Sequence, residues 1–243
     1  MTSGKRQSRR RFLQGSAALA PSLAQTEESA QEPLRKEDLS LSAPGPATLA
    51  AADYKPGYFS TDEWHFVLAA CDRLIPKDAI GPGAVELGVP QYIDRQLQTA
   101  YGGGGNWYMQ GPFHEAAPEF GYQSKLTPKE QYRLGIRAID DHCQQQFGKV
   151  FADLSAEQQD TVLKDVESGK IKSEDAPLGT FFSTFLLKNT LEGYFGDPMY
   201  GGNKDVAAWK MIGYPGVRAD FADWVDQARR YPYGPVSIHG QRG

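Results

Sequence analysis

Five stretches of this 243-residue sequence repeat apolar side chains at spacings of three and four residues, which is the period of an amphipathic α-helix. Three of the five begin with a helix-start pattern, in which a capping side chain precedes a proline or stands three positions before a glutamate or glutamine: Ser60 with Glu63, Thr127 with Pro128, and Ser155 with Gln158. No stretch sustains the alternation of a half-buried strand. The sequence therefore predicts a mainly α fold in which strands are at most minor.

Prolines and glycines mark where the predicted helices end. Pro76 ends the first helix, and the run Gly102–Gly105 ends the second. The expected helices lie at 61–75, 89–101, 128–150, 156–168 and 178–195, with shorter ones at 205–212 and 217–229. Together they predict a single helical domain over residues 59–243, with long loops rich in glycine and aromatic residues.

The first 24 residues differ from the rest of the chain. They contain five basic residues and no acidic one, although the whole chain has a net charge of -4. The pair Arg9 and Arg10 is followed by Phe12 and Leu13, and then by an alanine-rich apolar stretch. This order is typical of a twin-arginine signal peptide, which we predict over residues 1–24, with export to the periplasm. Cleavage of the signal stays open, and the alternative is a basic tail with a chance match.

The next segment, residues 25–58, is rich in proline, alanine and glutamate and has no hydrophobic periodicity. Such a composition does not bury enough apolar surface to offset the entropy lost on ordering. We expect a linker, or an arm that wraps around a partner, before the helical domain.

Composition and cysteine count exclude several classes of protein. An isoelectric point near 5.6 argues against a nucleic-acid-binding protein. The sequence has no uninterrupted apolar run of about 18 residues, the length that a transmembrane helix needs. Two cysteines are too few for a disulfide framework and lack the clustered spacing of a zinc site.

The sequence also lacks recognisable motifs for a cofactor or for catalysis. The glycine run at 102–105 follows a predicted helix instead of a strand, so it does not resemble a phosphate-binding loop. There is no Cys-x-x-Cys-His motif for covalent haem and no Gly-x-Ser-x-Gly elbow for a nucleophilic serine. We therefore predict no catalytic, cofactor-binding or metal-binding residue in this chain.

Cys71 and Cys143 both lie on the apolar stripes of predicted helices. Two interpretations stay open. They are either packing thiols of the core or, in the oxidising periplasm, the two halves of a disulfide.

Aromatic residues are concentrated in the loop between the second and third predicted helices, which includes Trp107 and Tyr108. Long loops without secondary structure of their own tend to be functional, and aromatic residues are enriched in interface cores. Trp107 and Tyr108 are therefore candidates for contact with a partner. The alternative is that these rings pack beneath their own helices.

The C-terminal half of the sequence carries a recognisable signature. The run 189–205 reads NTLEGYFGDPMYGGNKD, and it continues at 208–216 as AWKMIGYPG. It closely resembles the signature of the gluconate 2-dehydrogenase subunit 3 family, the gamma chain of membrane-bound flavoprotein dehydrogenases. The segments 70–76 and 81–84, with Val89 and Pro90, resemble the N-terminal motif of the same family, so the likeness covers roughly residues 59–216.

The resemblance implies a division of labour in a periplasmic complex attached peripherally to the inner membrane. A large subunit of the glucose–methanol–choline type holds FAD and oxidises a sugar, sugar acid or alcohol, and a multihaem cytochrome c subunit passes the electrons on. The small chain is then a non-catalytic subunit that binds the flavoprotein and supports its maturation and its passage through the twin-arginine translocase. The alternatives are a stand-alone periplasmic enzyme and a sugar-binding protein.

Within the signature, the loop from Asp197 to Asn203 is conformationally demanding, since it combines a proline with two glycines. One hypothesis is that this loop, with Tyr200, Trp209 and Tyr214, forms part of the surface that faces the flavoprotein. The other is that it is a rigid internal turn that orders the fold.

Overall fold

A computed structural model describes residues 54–114 and 117–243 of the protein. Within these ranges the prediction of a mainly α fold is confirmed: seven α-helices are present and no β-strand, only two isolated bridges. The helices are α1 (Thr61–Leu74), α2 (Val89–Leu97), α3 (Pro128–Phe147), α4 (Ala156–Glu167), α5 (Leu178–Thr180), α6 (Lys188–Phe195) and α7 (Ala207–Ile212). None of the helices described is long and apolar enough to cross a membrane.

Three helices begin with reciprocal capping boxes, which fixes where they start. In α1 the Ser60 hydroxyl accepts a hydrogen bond from the Glu63 N–H, and the Glu63 carboxylate accepts one from the Ser60 N–H at 2.8 Å. The same arrangement opens α3 and α4 at Thr127 and Ser155. Each box satisfies two backbone donors that the first turn of a helix would otherwise leave without partners.

The ends of the helices differ from the sequence expectation in places. Helix α2 ends at Leu97 instead of reaching residue 101, because the chain tightens into i→i+3 hydrogen bonds from Gln98 to Arg95 and from Thr99 to Gln96. Helix α3 ends at Phe147, and a separate 3-10 turn follows at Phe151–Asp153. The last predicted helix, 217–229, is reduced to the 3-10 segment Ala219–Trp224.

A π-helical segment, Phe181–Leu187, joins α5 to α6 without a break and runs through the core. Its buried residues Phe181 and Phe185 pack against aromatic rings of α3 and of the loop before it, with Phe181 lying 5.4 Å from Tyr132 between ring centroids. The Ser183 hydroxyl donates to the Gly179 carbonyl at 2.8 Å, a backbone contact that commonly distorts helices. Such π-helical turns are rare in proteins, and those that occur often lie near functional sites.

The first described residues are bound to the domain through Asp94, a fully buried side chain of α2. Its carboxylate accepts five hydrogen bonds between 2.7 and 3.1 Å, from the Tyr54 hydroxyl, the Gly57, Tyr58 and Phe59 N–H groups and the Gln98 amide. Residues 54–58, which the sequence assigns to the linker, therefore lie against α2.

Candidate functional site

The turn after α6 is organised by the carboxylate of Asp197, which is buried. Its Oδ1 accepts the Met199 N–H at 3.0 Å and so caps the 3-10 turn Pro198–Tyr200. Its Oδ2 accepts the Ile238 N–H at 2.8 Å, which ties the turn to the C-terminal part of the chain. One side chain thus fixes both the local turn and a contact 41 residues away.

Asn203 closes the same turn from its other end. Its Nδ2 donates to the Gly196 carbonyl at 2.9 Å, and its Oδ1 accepts the Ala208 N–H at 3.0 Å. Between the two ends, Gly202 packs on the Gly193 carbonyl of α6, so closely that a Cβ at residue 202 would lie 2.0 Å from that oxygen. We refer to residues 196–203 as the signature turn. At residue 202 the turn contacts the backbone of α6, and this leaves room only for glycine.

Three non-glycine residues next to the turn adopt left-handed conformations: Asn203 at φ 44°, Asp205 at φ 58° and Val206 at φ 49°. For a β-branched residue such as valine this conformation is strained. The Lys204 N–H donates to the Leu87 carbonyl and Val206 is buried, so packing against the rest of the domain holds the strained segment in place. Strain of this kind persists where the surrounding structure over-determines it.

Trp209 of α7 lies beneath the surface and not on it, since only 5% of the residue is exposed. Its indole N–H donates to the Phe195 carbonyl at 2.6 Å, and its ring contacts the Tyr214 ring edge-on at a centroid distance of 5.0 Å. Trp209 was a candidate for direct contact with a partner. The structure instead gives it the role of an internal anchor that joins α6, α7 and the segment that follows.

Tyr200 and Tyr214 do project outward, with 48% and 47% of each residue exposed. Other large apolar residues of the same segments are exposed as well: Leu191, Phe195, Ile212, Val217 and Ile238. The segments that carry them are held together by Trp209 and Asp197. We refer to these seven exposed residues as the apolar face.

The two partner candidates in the aromatic loop, Trp107 and Tyr108, differ in how exposed they are. Trp107 packs against the core, with its ring centroid 5.0 Å from that of Tyr122 and 6.0 Å from that of Phe185. Tyr108, the next residue, is 79% exposed. Of these two partner candidates, Tyr108 is fully on the surface and Trp107 is partly buried.

Both cysteines are free thiols in the structure and both are buried, which corresponds to the packing alternative. The Sγ of Cys71 lies 3.7 Å from the Thr190 hydroxyl. Burial raises the pKa of Cys71 and of Cys143 to about 12. Neither thiol is therefore activated as a nucleophile at neutral pH.

Among the described residues, no group of three or more His, Cys, Asp or Glu side chains is arranged to hold a metal ion. One carboxyl group is perturbed: desolvation raises the pKa of Asp140 to about 6, against the opposing effect of the hydrogen bond that it accepts from the Phe151 N–H. The signal residues Arg9, Arg10, Phe12 and Leu13 lie outside the described residues.

Sequence reasoning missed Asp94, one of the residues that organise this chain. Asp94 stands between Ile93 and Leu97 on the buried side of α2, where a charged residue needs a dedicated set of partners. A charged residue on the apolar side of a predicted helix was the feature of the sequence that could have revealed this role. The role of Asp197, by contrast, depends on a hydrogen bond from a distant segment, the Ile238 N–H.

Of the comparisons with known proteins, the one with family models finds a match. No curated protein and no solved structure matches the chain. The model of the family described as gluconate 2-dehydrogenase subunit 3 matches residues 61–216, which is most of the chain and includes α1 to α7 with the signature turn. The chain belongs to the gluconate 2-dehydrogenase subunit 3 family.

Proposed function

We propose that this chain is the non-catalytic small subunit of a periplasmic flavoprotein dehydrogenase complex. It binds an FAD-containing large subunit of the glucose–methanol–choline type, supports its maturation and carries it through the twin-arginine translocase. In such a complex the electrons leave the flavin through a multihaem cytochrome c subunit at the inner membrane. Family membership supports the assignment to a dehydrogenase complex, and the arrangement of the signature supports a binding role.

The proposal rests on which residues of the signature are buried and bonded within the chain and which are exposed. The polar groups of Asp197 and Asn203 and the indole of Trp209 all have partners within the chain. The same segments present large apolar side chains outward, with Tyr200 and Tyr214 prominent, among exposed charged residues such as Glu192 and Lys210. Exposed aromatic residues on a rigid support are typical of interface anchors.

The export route fits a carrier role for a physical reason. A flavoprotein that acquires FAD in the cytoplasm must cross the membrane already folded. The twin-arginine signal predicted from Arg9 and Arg10 belongs to a route for folded proteins. A small subunit with this signal is then able to take a signal-less partner with it.

The first experiment isolates a tagged form of the chain from the periplasm of its own host. We expect a larger protein with flavin absorbance to copurify, and we expect the isolated small chain to be colourless and inert toward sugars with an electron acceptor. A deletion strain should lose flavoprotein dehydrogenase activity from the periplasm. Full periplasmic activity in the deletion strain, or turnover by the chain alone, would contradict the proposal.

The second experiment tests the apolar face. In the double variant Tyr200→Ala and Tyr214→Ala we expect the affinity for the flavoprotein to fall at least about tenfold, because exposed aromatic anchors dominate interface energetics. Phe147→Ala on α3 is the matched control, since Phe147 is also an exposed aromatic residue but lies outside the apolar face. Helical circular dichroism should stay unchanged in both variants. Equal loss of affinity in both would show that the apolar face is not the contact surface.

A further inference from the structure

Residues after the family match, together with Lys210, Gly213 and Tyr214 within it, line a cavity. It has a volume of about 380 Å³ and lies between α7 and the segment 230–235. Clefts that bind small molecules begin at roughly this size. Seven of its ten lining residues lie after residue 216, where the family match ends.

The two charged side chains that line the cavity are both cations, and the backbone of Gly243 also lines it. Lys210 and Arg230 both line it, and no aspartate or glutamate side chain does. Neither cation has an ion-pair partner among the residues that the structure describes. Two like charges beside one cleft favour an anion between them, and a guanidinium is suited to bind carboxylate or phosphate through two parallel hydrogen bonds.

Three tyrosines, Tyr214, Tyr231 and Tyr233, form aromatic walls of the same cavity. Tyrosine rings supply apolar area together with a hydroxyl group, so they suit a ligand that is partly apolar and partly hydroxylated. A bare inorganic ion would use the cations and leave these walls without contacts.

The walls are held in position before any ligand arrives. The Arg218 guanidinium stacks on Tyr231 and Tyr233, with its Cζ 5.6 and 4.9 Å from the ring centroids. The Tyr231 hydroxyl donates to Asp220 at 2.6 Å, and Asp220 is paired with Arg218. Such preorganisation lowers the entropy lost on binding. Because Arg218 is already paired with Asp220, Lys210 and Arg230 are the cations left for a ligand.

We propose that this cavity binds a small organic anion in which a carboxylate or phosphate is attached to a hydroxylated ring. The anionic group lies between Lys210 and Arg230, and the ring lies against the tyrosines. This inference is independent of the partner-binding role, since it concerns residues outside the apolar face except for Tyr214.

The test is calorimetric titration of the full chain with probes that share one pyranose ring. D-Glucuronate and glucose 6-phosphate carry the two anionic groups, and D-glucose carries neither. We expect saturable binding of at least one anion, with glucose at least about tenfold weaker. The preferred anion identifies whether the site takes carboxylate or phosphate. Inorganic phosphate should bind more weakly than the preferred sugar anion because it lacks a ring.

Single variants assign the binding to the cavity. Arg230→Gln and Lys210→Gln should each weaken the preferred anion by about 10- to 100-fold, since each removes a charged hydrogen-bond donor. Arg229→Gln is the matched control: Arg229 is adjacent in sequence, stacks on Trp224 and does not line the cavity. Its affinity should stay within about twofold of the unsubstituted protein. Absence of binding by both sugar anions, equal affinity for inorganic phosphate, or equal losses in all three variants would each overturn the proposal.

Discussion

The helical body, α1 to α5 with the π segment, and the signature turn with α7 are stabilised in different ways. In the body, stability is distributed: capped helices bury many apolar side chains, and each contributes a small part. Around the signature turn it is concentrated in a few side chains. Asn203 binds two backbone groups in and next to the turn, whereas Asp197 and Trp209 bind backbone groups 41 and 14 positions away.

This difference has a consequence for tolerance to substitution. An apolar core position accepts other residues of similar volume at a modest cost in stability. A side chain that bridges two backbone groups in a buried turn has no substitute of another shape. The signature turn should therefore be more sensitive to single changes than the body that carries it.

The largest effect that we expect is for Asn203→Ala. The change removes two hydrogen bonds and places alanine in a left-handed conformation, so the free energy of unfolding should fall by about 3 kcal/mol. Asn203→Gly keeps the conformation accessible and should cost less, about 2 kcal/mol. Urea denaturation measures both. An alanine variant as stable as the glycine variant would show that the backbone strain contributes nothing.

Asp94→Ala tests whether the body contains a concentrated site of its own. We expect a loss of about 2 kcal/mol, less than five broken hydrogen bonds suggest, because the segment 54–59 forms no helix or strand and its N–H groups can be rehydrated when it detaches. Hydrogen exchange should accelerate at Gly57, Tyr58 and Phe59 and stay unchanged in α3. Global acceleration would mean that this segment is as integral to the fold as the signature turn.

Asp205→Gly should act in the opposite direction. Asp205 is exposed and has φ 58°, a conformation that glycine adopts without steric cost. We expect a gain of about 0.5 kcal/mol in stability, the relief of strain being partly offset by the larger entropy of the unfolded glycine. Asp205→Ala is the control, since alanine retains the strain. Thermal denaturation in which both variants shift equally would contradict the strain interpretation.

The last prediction concerns pH and lies within the body. Because burial raises the pKa of Asp140 from 3.8 to about 6, the folded state binds a proton more tightly than the unfolded chain does. The stabilising contribution of this group is therefore full below about pH 4 and is lost as the pH rises through about 6. In Asp140→Asn the amide oxygen can still accept the Phe151 N–H without a charge. The melting temperature of the variant relative to the unsubstituted protein should rise between these pH values, and a difference that falls would contradict the assignment.

The two regions also differ in how far the sequence predicts them. The capping residues Ser60, Thr127 and Ser155 and the apolar stripes act within one helix, so local pattern was sufficient for the fold class. The signature could be recognised as a motif, yet the sequence could not separate its internal residues from its external ones. Trp209 and Tyr214 have similar chemistry, and only the tertiary contact between Trp209 and the Phe195 carbonyl decides which of them is buried.

The irregular backbone was beyond prediction for a related reason. Local propensity disfavours a left-handed conformation for valine, so the sequence around Val206 does not predict that conformation. The π segment at Phe181–Leu187 likewise has the apolar pattern of an ordinary buried helix. Both conformations are imposed by packing between segments that are far apart in the sequence.

The hydrogen bond from the Ile238 N–H to Asp197 shows that the fold depends on residues beyond the end of the family match. The region matched by the family model ends at Gly216. Asp197 accepts a hydrogen bond from the N–H of Ile238, which lies 22 positions beyond Gly216. A chain truncated at 216 would keep every recognised motif and would still leave that carboxylate oxygen without its backbone donor. The segment that folds together in this protein therefore extends beyond the segment that the family model matches.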